Sequence, residues 1–205
     1  MTNDEISAIA WAILMMIQLI IRKAFFNKYA ATEKASIYNM PKQKTAVFFL
    51  SLGYMYLPLF YMFIIMFNIS ILIKWFDVFK MSRNILINII GAVILFLGCL
   101  LFLITHIALK NNWSPYLELN KEHKLITTGV YSIVRHPMYT SFMLTIIGNG
   151  LILANWFILG FGLAVSVISY IIRLDDEERM MEDYFGDEYR EYKKKTPKRI
   201  IPFVL

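Results

Sequence analysis

Hydrophobic positions in this 205-residue chain are grouped in long unbroken runs. Ile6 to Ile21 form the first, Thr45 to Phe67 the second and Ile85 to Leu109 the third. Met138 to Ile172 is long enough for two crossings, and its interruptions at Gly148-Asn149-Gly150 and Asn155 suit a tight helical hairpin. A spanning helix needs about 20 predominantly apolar residues, which the first run reaches with its flanks. Ile69 to Phe79 is too short to cross and carries Lys74 and Asp77, so it is read as interfacial. The pattern predicts an all-α integral membrane protein of five transmembrane helices, with a C-terminal helical hairpin and a short cytoplasmic helical tail.

Composition agrees with that class. The chain is 58% hydrophobic and 18% charged, too little charge to cover a soluble domain of this length. Basic residues test the span count. Five spans place the loops Arg22 to Lys44 and Lys110 to Pro137 on one side with the tail, and these carry six, four and eight Lys/Arg. The other side holds Lys74, Lys80 and Arg83, a ratio of 18 to 3 that fits a cytoplasmic C-terminus and an outside N-terminus. The expected location is a multi-pass one: the cell membrane of a prokaryote or the endoplasmic reticulum of a eukaryote. The net charge of +6 is thus topological and requires no nucleic acid. Lys193-Lys194-Lys195 is as consistent with lipid headgroups as with a solvated helix end. Acids precede the first run and Arg22-Lys23 follow it, the reverse of a signal peptide, so it is expected to be a retained anchor. The single Cys99 excludes a disulfide framework within the chain and a cysteine-based zinc site.

The chain divides near residue 108. Residues 1–108 form a three-span region for packing and for shaping a lipid-facing cavity. Residues 109–205 form a mixed region, expected to carry any functional site, with a polar loop, an Arg-His-Pro motif, the two-span hairpin and the tail. Pro137 is placed in the first turn of the fourth span, where its missing N–H is harmless. The tail from Leu174 to Lys195, broken at Gly186, reads as two short helices over the cytoplasmic face.

Ionisable groups are scarce outside the tail, yet Arg135-His136 and Arg173-Leu-Asp-Asp-Glu177-Glu178 adjoin membrane-like segments. Charge beside lipid is costly unless partnered, so such placement marks a functional site. Arg173 and Glu177 are four apart and share a helical face, as an ion pair or as two groups with separate partners. Asp175, Asp176 and Glu178 are assigned no role and read as facing water. No glycine-rich loop follows a strand, and no βαβ pattern is present to bind a nucleotide in the usual soluble manner. Gly148, Gly150, Gly160 and Gly162 read as helix-packing points. Three histidines without carboxylates at ligand spacing predict no metal site, and His106 reads as an ordinary residue ending its span.

Gly129-Val-Tyr131-Ser-Ile-Val-Arg135-His136-Pro137-Met-Tyr139, followed by Arg173 and Glu177, resembles the isoprenylcysteine carboxyl methyltransferases. The tail Tyr184-Phe-Gly186-Asp-Glu-Tyr189-Arg-Glu-Tyr192, with Thr196-Pro197 and Ile201-Pro202, matches the same family's ending. The likeness is sharp from about residue 112 to 202; before that it extends to hydropathy and span count. It implies an integral membrane enzyme that uses S-adenosylmethionine, releases S-adenosylhomocysteine, and methylates the carboxylate of a prenylated cysteine or similar lipophilic acid. It also implies cofactor contacts at His123, Lys124, Leu125, Ile126, Tyr131, His136, Pro137, Met138 and Tyr139. Such a ligand needs an apolar slot, an aromatic face for its sulfonium and a donor for its carboxylate. Tyr131 or Tyr139 supplies the ring, and His136 or Arg135 the donor. Arg173 is assigned to the acceptor carboxylate through a bidentate contact and Glu177 to the cofactor's amino group or positive charge. Phe185, Tyr189 and Tyr192 are read as packing the tail over the cofactor loop. Expected partners are the bilayer and the lipophilic acid, with neither nucleic acid nor metal. A phospholipid N-methyltransferase is the nearest rival, since its Arg-His-Pro-x-Tyr string is related. A membrane sterol reductase and a non-catalytic membrane scaffold stand further off.

Overall fold

The first apolar run folds as α1 (Asn3–Ala30), 28 residues or about 42 Å at 1.5 Å per residue. The second forms a rod in three parts: α2 (Met40–Ser51), a π-helical turn (Leu52–Tyr56) and α3 (Leu57–Met66). Pro58 explains the break. Its ring nitrogen cannot donate to the Tyr54 carbonyl four residues earlier. Asn149 Nδ2 donates to that carbonyl instead, at 3.0 Å. A short α4 (Ser70–Asp77) follows, then α5 (Ile85–Leu109), whose N-terminus is capped by the Asn84 side chain bonding Ile87 N–H at 2.8 Å. The last helices are α6 (Pro137–Ile152), α7 (Trp156–Phe185) and α8 (Asp187–Lys195). The computed structural model describes residues 3–30, 34–37, 40–82, 84–120 and 123–201, which are mostly helical. Arg83, Lys121, Pro202 and both chain ends, which enter the topology and motif readings, lie outside the described residues.

Among the described residues, four helices are long and apolar enough to cross a membrane: Ala8–Asn27, Lys42–Met66, Ile85–Leu109 and Trp156–Phe185. α6 has 16 residues and falls short of that length. Three details differ from expectation. The turn between α6 and α7 lies at residues 153–155, while Gly148 and Gly150 stay helical within α6. There Asn155 accepts from Phe157 N–H and Ile158 N–H and donates to Phe76 O, which clasps α4 to the turn. The tail does not break off at Leu174: α7 runs on through the acidic segment to Phe185, because its Leu, Glu, Arg and Met residues are good helix formers. Finally, a two-stranded antiparallel pair joins β1 (Lys34–Ile37) to β2 (Glu118–Asn120), too short to leave a period in the sequence.

Packing follows small residues. A Cβ on Gly148 would stand 2.7 Å from Leu95 Cα, so α5 and α6 meet almost backbone to backbone. Gly53 and Gly162 do the same for the π-turn against α7; Gly160 has open space and no such role. Polar side chains point inward, with Trp11 Nε1 donating to Asn149 Oδ1 at 2.9 Å and Gln18 Nε2 to Thr145 Oγ1 at 2.8 Å. Outward faces are apolar, as at Ile13, Ile20, Leu86, Phe96 and Ile171, which is how helices meet lipid. One core cluster (Trp11, Met15, Tyr61, Ile64, Leu95, Ile158) fills the end near the α6–α7 turn. Another (Leu50, Tyr54, Phe102, Tyr139, Phe142, Tyr170) leads to the site.

Candidate active site

Pro137 opens α6 and His136 precedes it with φ −126° and ψ 62°, outside the helical region that a following proline disfavours. The tail is laid along this motif. Arg135 N–H bonds Lys198 O at 2.9 Å, His136 N–H bonds Arg199 O at 2.8 Å, and the Thr140 hydroxyl bonds Ile200 O. Arg135 Nη1 donates to Thr196 O and Pro197 O at 2.8 and 2.7 Å. Its Nε and Nη2 both reach Glu178 Oε1, at 2.9 and 2.6 Å. Four of its five N–H groups thus fasten the tail to α7, and the side chain also lines the cavity described below.

Two consecutive glutamates on α7 meet His136 from different sides. Nε2 lies 3.2 Å from Glu178 Oε1 and Nδ1 lies 3.4 Å from Glu177 Oε1. Glu178 has 4% of its side chain exposed and faces Arg135, His136, Lys193 and Arg199; it does not face water as expected. Glu177 keeps 26% of its side chain exposed, accepts from the Tyr139 hydroxyl at 2.6 Å, and lies 3.6 Å from Arg173 Nε. One glutamate is closed and structural; its neighbour is open to a ligand. Asp176 is buried against Lys42 at 2.6 Å, whereas Asp175 remains exposed and pairs with Arg199 at 3.0 Å. Arg173 donates from Nη1 to Pro115 O at 2.8 Å, tying α7 to the polar loop.

Arg135, His136, Tyr139, Arg173 and Glu177 line one open cavity, the kind of concave site in which a small ligand is held. His123, Lys124, Leu125, Ile126, Tyr131, His136, Met138, Tyr139, Arg173 and Glu177 all line it. Pro137 does not; it is buried as the first residue of α6. Asn112 holds the 123–126 loop in place, donating to Lys124 O at 3.0 Å and accepting from Lys124 N–H at 3.3 Å. His123 packs against Tyr184 and Phe185, and its Nδ1 is buried without a hydrogen-bond partner. Burial lowers its pKa to about 4, so the ring is neutral. Tyr189 and Tyr192 also line the cavity, and the Tyr192 hydroxyl bonds Tyr131 O at 2.6 Å, so the tail does pack over the loop. Residues the sequence reading missed come from elements far away in the chain: Arg22 of α1, Leu50 and Ser51 of α2, and Trp113 and Glu118 of the polar loop. His106 is buried between Phe102 and Trp113, with Nδ1 2.8 Å from Phe102 O, a packed core position.

Burial alone would lower the His136 pKa, but the hydrogen bonds and charge of Glu177 and then Glu178 outweigh it and hold it above the ordinary value. A histidine raised on folding stabilises fully below its unfolded pKa of about 6.5, and that contribution fades as pH rises through the folded value. Thermal midpoints of wild type and His136→Gln should therefore differ most near pH 6, and the gap should narrow as pH rises through the folded value. A gap independent of pH would remove the imidazolium from this account.

The phospholipid methyltransferase family model matches residues 86–188, half of the chain, and takes in α5, α6 and the cavity-lining part of α7. The protein-S-isoprenylcysteine O-methyltransferase of Schizosaccharomyces pombe is 38% identical over 87 residues, covering 40% of this chain and 34% of that protein. The corresponding Arabidopsis thaliana protein B is 32% identical over 117 residues, 56% of this chain and 58% of that one. The Homo sapiens protein is 38% identical over 88 residues, 42% and 30% respectively. The chain thus spans between three-tenths and three-fifths of the length of these relatives. A solved structure, the eukaryotic intramembrane Ras methyltransferase ICMT, aligns over 82% of this chain and 55% of that one with TM-score 0.49 and 23% identity. The names of the three sequence relatives agree with the resemblance carried by the Arg-His-Pro motif and the Arg173–Glu177 pair. By the match that spans α5 to α7, the chain belongs to the phospholipid methyltransferase family.

Proposed function

We propose that the chain is an S-adenosylmethionine-dependent carboxyl O-methyltransferase acting on the carboxylate of an S-isoprenylated cysteine or similar lipophilic acid. The observation that carries this is the joining of two environments in one cavity. Its walls combine the His136–Glu177–Tyr139–Arg173 network with the apolar side chains of Leu50, Phe102 and Phe142. A water-soluble donor and a lipid-borne acceptor require that pairing.

The residues fit the donor. Glu177 has an accessible carboxylate for its amino group or positive charge, Tyr131 and Tyr139 offer rings, and His123 Nδ1 is a buried polar atom without a partner. When bound, S-adenosylmethionine supplies a methyl group made electrophilic by its sulfonium. The protein's part is positioning. Tyr139 and His136 fix the Glu177 carboxylate, and Arg173, braced on Pro115 O, orients the acceptor carboxylate. An acceptor acid is already ionised at neutral pH, so no residue has to remove a proton. Tyr189 and Tyr192 exclude water from the side of the tail, which leaves orientation and desolvation as the source of rate.

The same reading places the site at the cytoplasmic boundary of a five-span protein, with α6 and α7 as the final hairpin, the N-terminus outside and the C-terminus inside. Residues 1–108 then shape the cavity and 109–205 carry the chemistry. Pairing of β1 with β2 supports it, because it joins the two long loops that five spans put on one side.

The purified protein in detergent should transfer labelled methyl to N-acetyl-farnesylcysteine and leave an ethanolamine lipid unmethylated. An amine acceptor must lose a proton and would approach a cavity lined by Arg22, Lys124 and Arg173. Transfer to the ethanolamine lipid alone would replace this proposal with N-methylation.

A further inference from the structure

Arg22 is the feature that the proposed chemistry leaves unused. It lies on α1 within the candidate span Ala8–Asn27, outside residues 86–188 on which the family match rests. An arginine near the end of a spanning helix would ordinarily extend its guanidinium to the headgroups. This one turns into the cavity. Its Nη1 donates to the Tyr54 hydroxyl and its guanidinium carbon stands 5.8 Å from the Tyr54 ring centre. Among the described residues Tyr54 is its hydrogen-bond partner and no carboxylate pairs with it. Arg135 is neutralised by Glu178, and Arg173 faces Glu177.

The position of Tyr54 is built with some care. It sits in the π-helical turn created beside Pro58, its carbonyl is satisfied by Asn149, and its ring packs on Phe142 at 4.9 Å. π-Turns of this kind concentrate at functional sites. Phe142 in turn meets Phe102 at 5.6 Å, and both line the cavity. A guanidinium with no counter-ion therefore stands beside the apolar sector, where a lipid tail fits. Such a charge is costly to keep near lipid unless an anion completes it.

We infer that Arg22, held by Tyr54, is the specificity-determining anion subsite for the acceptor, selecting lipids whose head carries a carboxylate. This rests on the methyltransferase reading above for the identity of the acceptor, while the anion preference stands on the geometry. Arg22 captures the anion and sets affinity; Arg173 orients it and sets the rate.

The test is isothermal titration of the detergent-solubilised protein, loaded with S-adenosylhomocysteine, with N-acetyl-farnesylcysteine and with its neutral carboxamide. Wild type should prefer the acid by about tenfold or more, the value of one charge-assisted contact. Arg22→Met should bring the two within about twofold, and Arg22→Lys should keep part of the preference. S-Adenosylhomocysteine affinity should stay within about twofold throughout, and in turnover the acceptor KM should rise with kcat little changed. Tyr54→Phe, which removes only the hydroxyl, should weaken acid binding about threefold and gives a second reading if Arg22→Met does not fold. Acid preference retained in folded Arg22→Met overturns the inference, as does equal weakening of acid and carboxamide, which would return Arg22 to the bilayer interface. Arg22-dependent acid binding without any methyl transfer would keep the subsite and defeat the proposed reaction. Methyl transfer with no acid preference in wild type would do the opposite.

Discussion

Glu177→Gln is expected to lower methyl transfer about 100-fold and to weaken S-adenosylhomocysteine binding by roughly 1.5–3 kcal/mol, the range for hydrogen bonds to a charged group. The carboxylate is the one point where His136, Tyr139 and Arg173 converge, and a neutral amide loses the charge that holds two of them. Arg173→Lys should behave differently. It keeps a positive charge but gives up the planar fork that reaches Pro115 O on one side and Glu177 on the other. Turnover should fall by about tenfold or more while cofactor affinity stays within about twofold. Titration calorimetry together with single-turnover rates separates the two effects. Equal loss of cofactor affinity in both variants would make Arg173 and Glu177 one shared cofactor clamp.

The second large effect concerns the neighbouring residue. Glu178→Ala should cost about 3–5 kcal/mol of stability, because it leaves the buried Arg135 guanidinium without its counter-ion. The thermal midpoint in detergent should drop sharply, with S-adenosylhomocysteine binding lost along with the fold. Arg190→Ala is the control. That side chain is exposed and pairs with Glu182 and Asp187 at the surface, where ion pairs contribute about 0–1 kcal/mol. Similar midpoints for Glu178→Ala and Arg190→Ala would show that Glu178 does not anchor the tail.

Long-range assembly explains what the sequence revealed and what it hid. Helices could be read because apolar runs are local. The cavity side of the Arg-His-Pro-x-Tyr segment could be read because a family motif also is local. Roles within Asp175-Asp176-Glu177-Glu178 could not, since four consecutive acids cover every face of a helix and only the packing of α7 decides which one is enclosed. The fastening role of Arg135 was hidden for a related reason: its partners Glu178, Thr196 and Pro197 lie 43 to 62 residues away. Arg22 was invisible as a site residue because a lone arginine after an apolar run has the form of a topological marker. The π-turn did leave a trace in Pro58, but its completion by Asn149 spans 95 residues.

The strap of tail backbone along Arg135 and His136 has a consequence for biosynthesis. Residues 196–200 supply the carbonyls that receive Arg135, the His136 amide and Thr140, and they follow every candidate span of the described residues in chain order. The ribosome therefore makes those spans before the strap, and a nascent chain stalled before Thr196 would carry them with its centre unfinished.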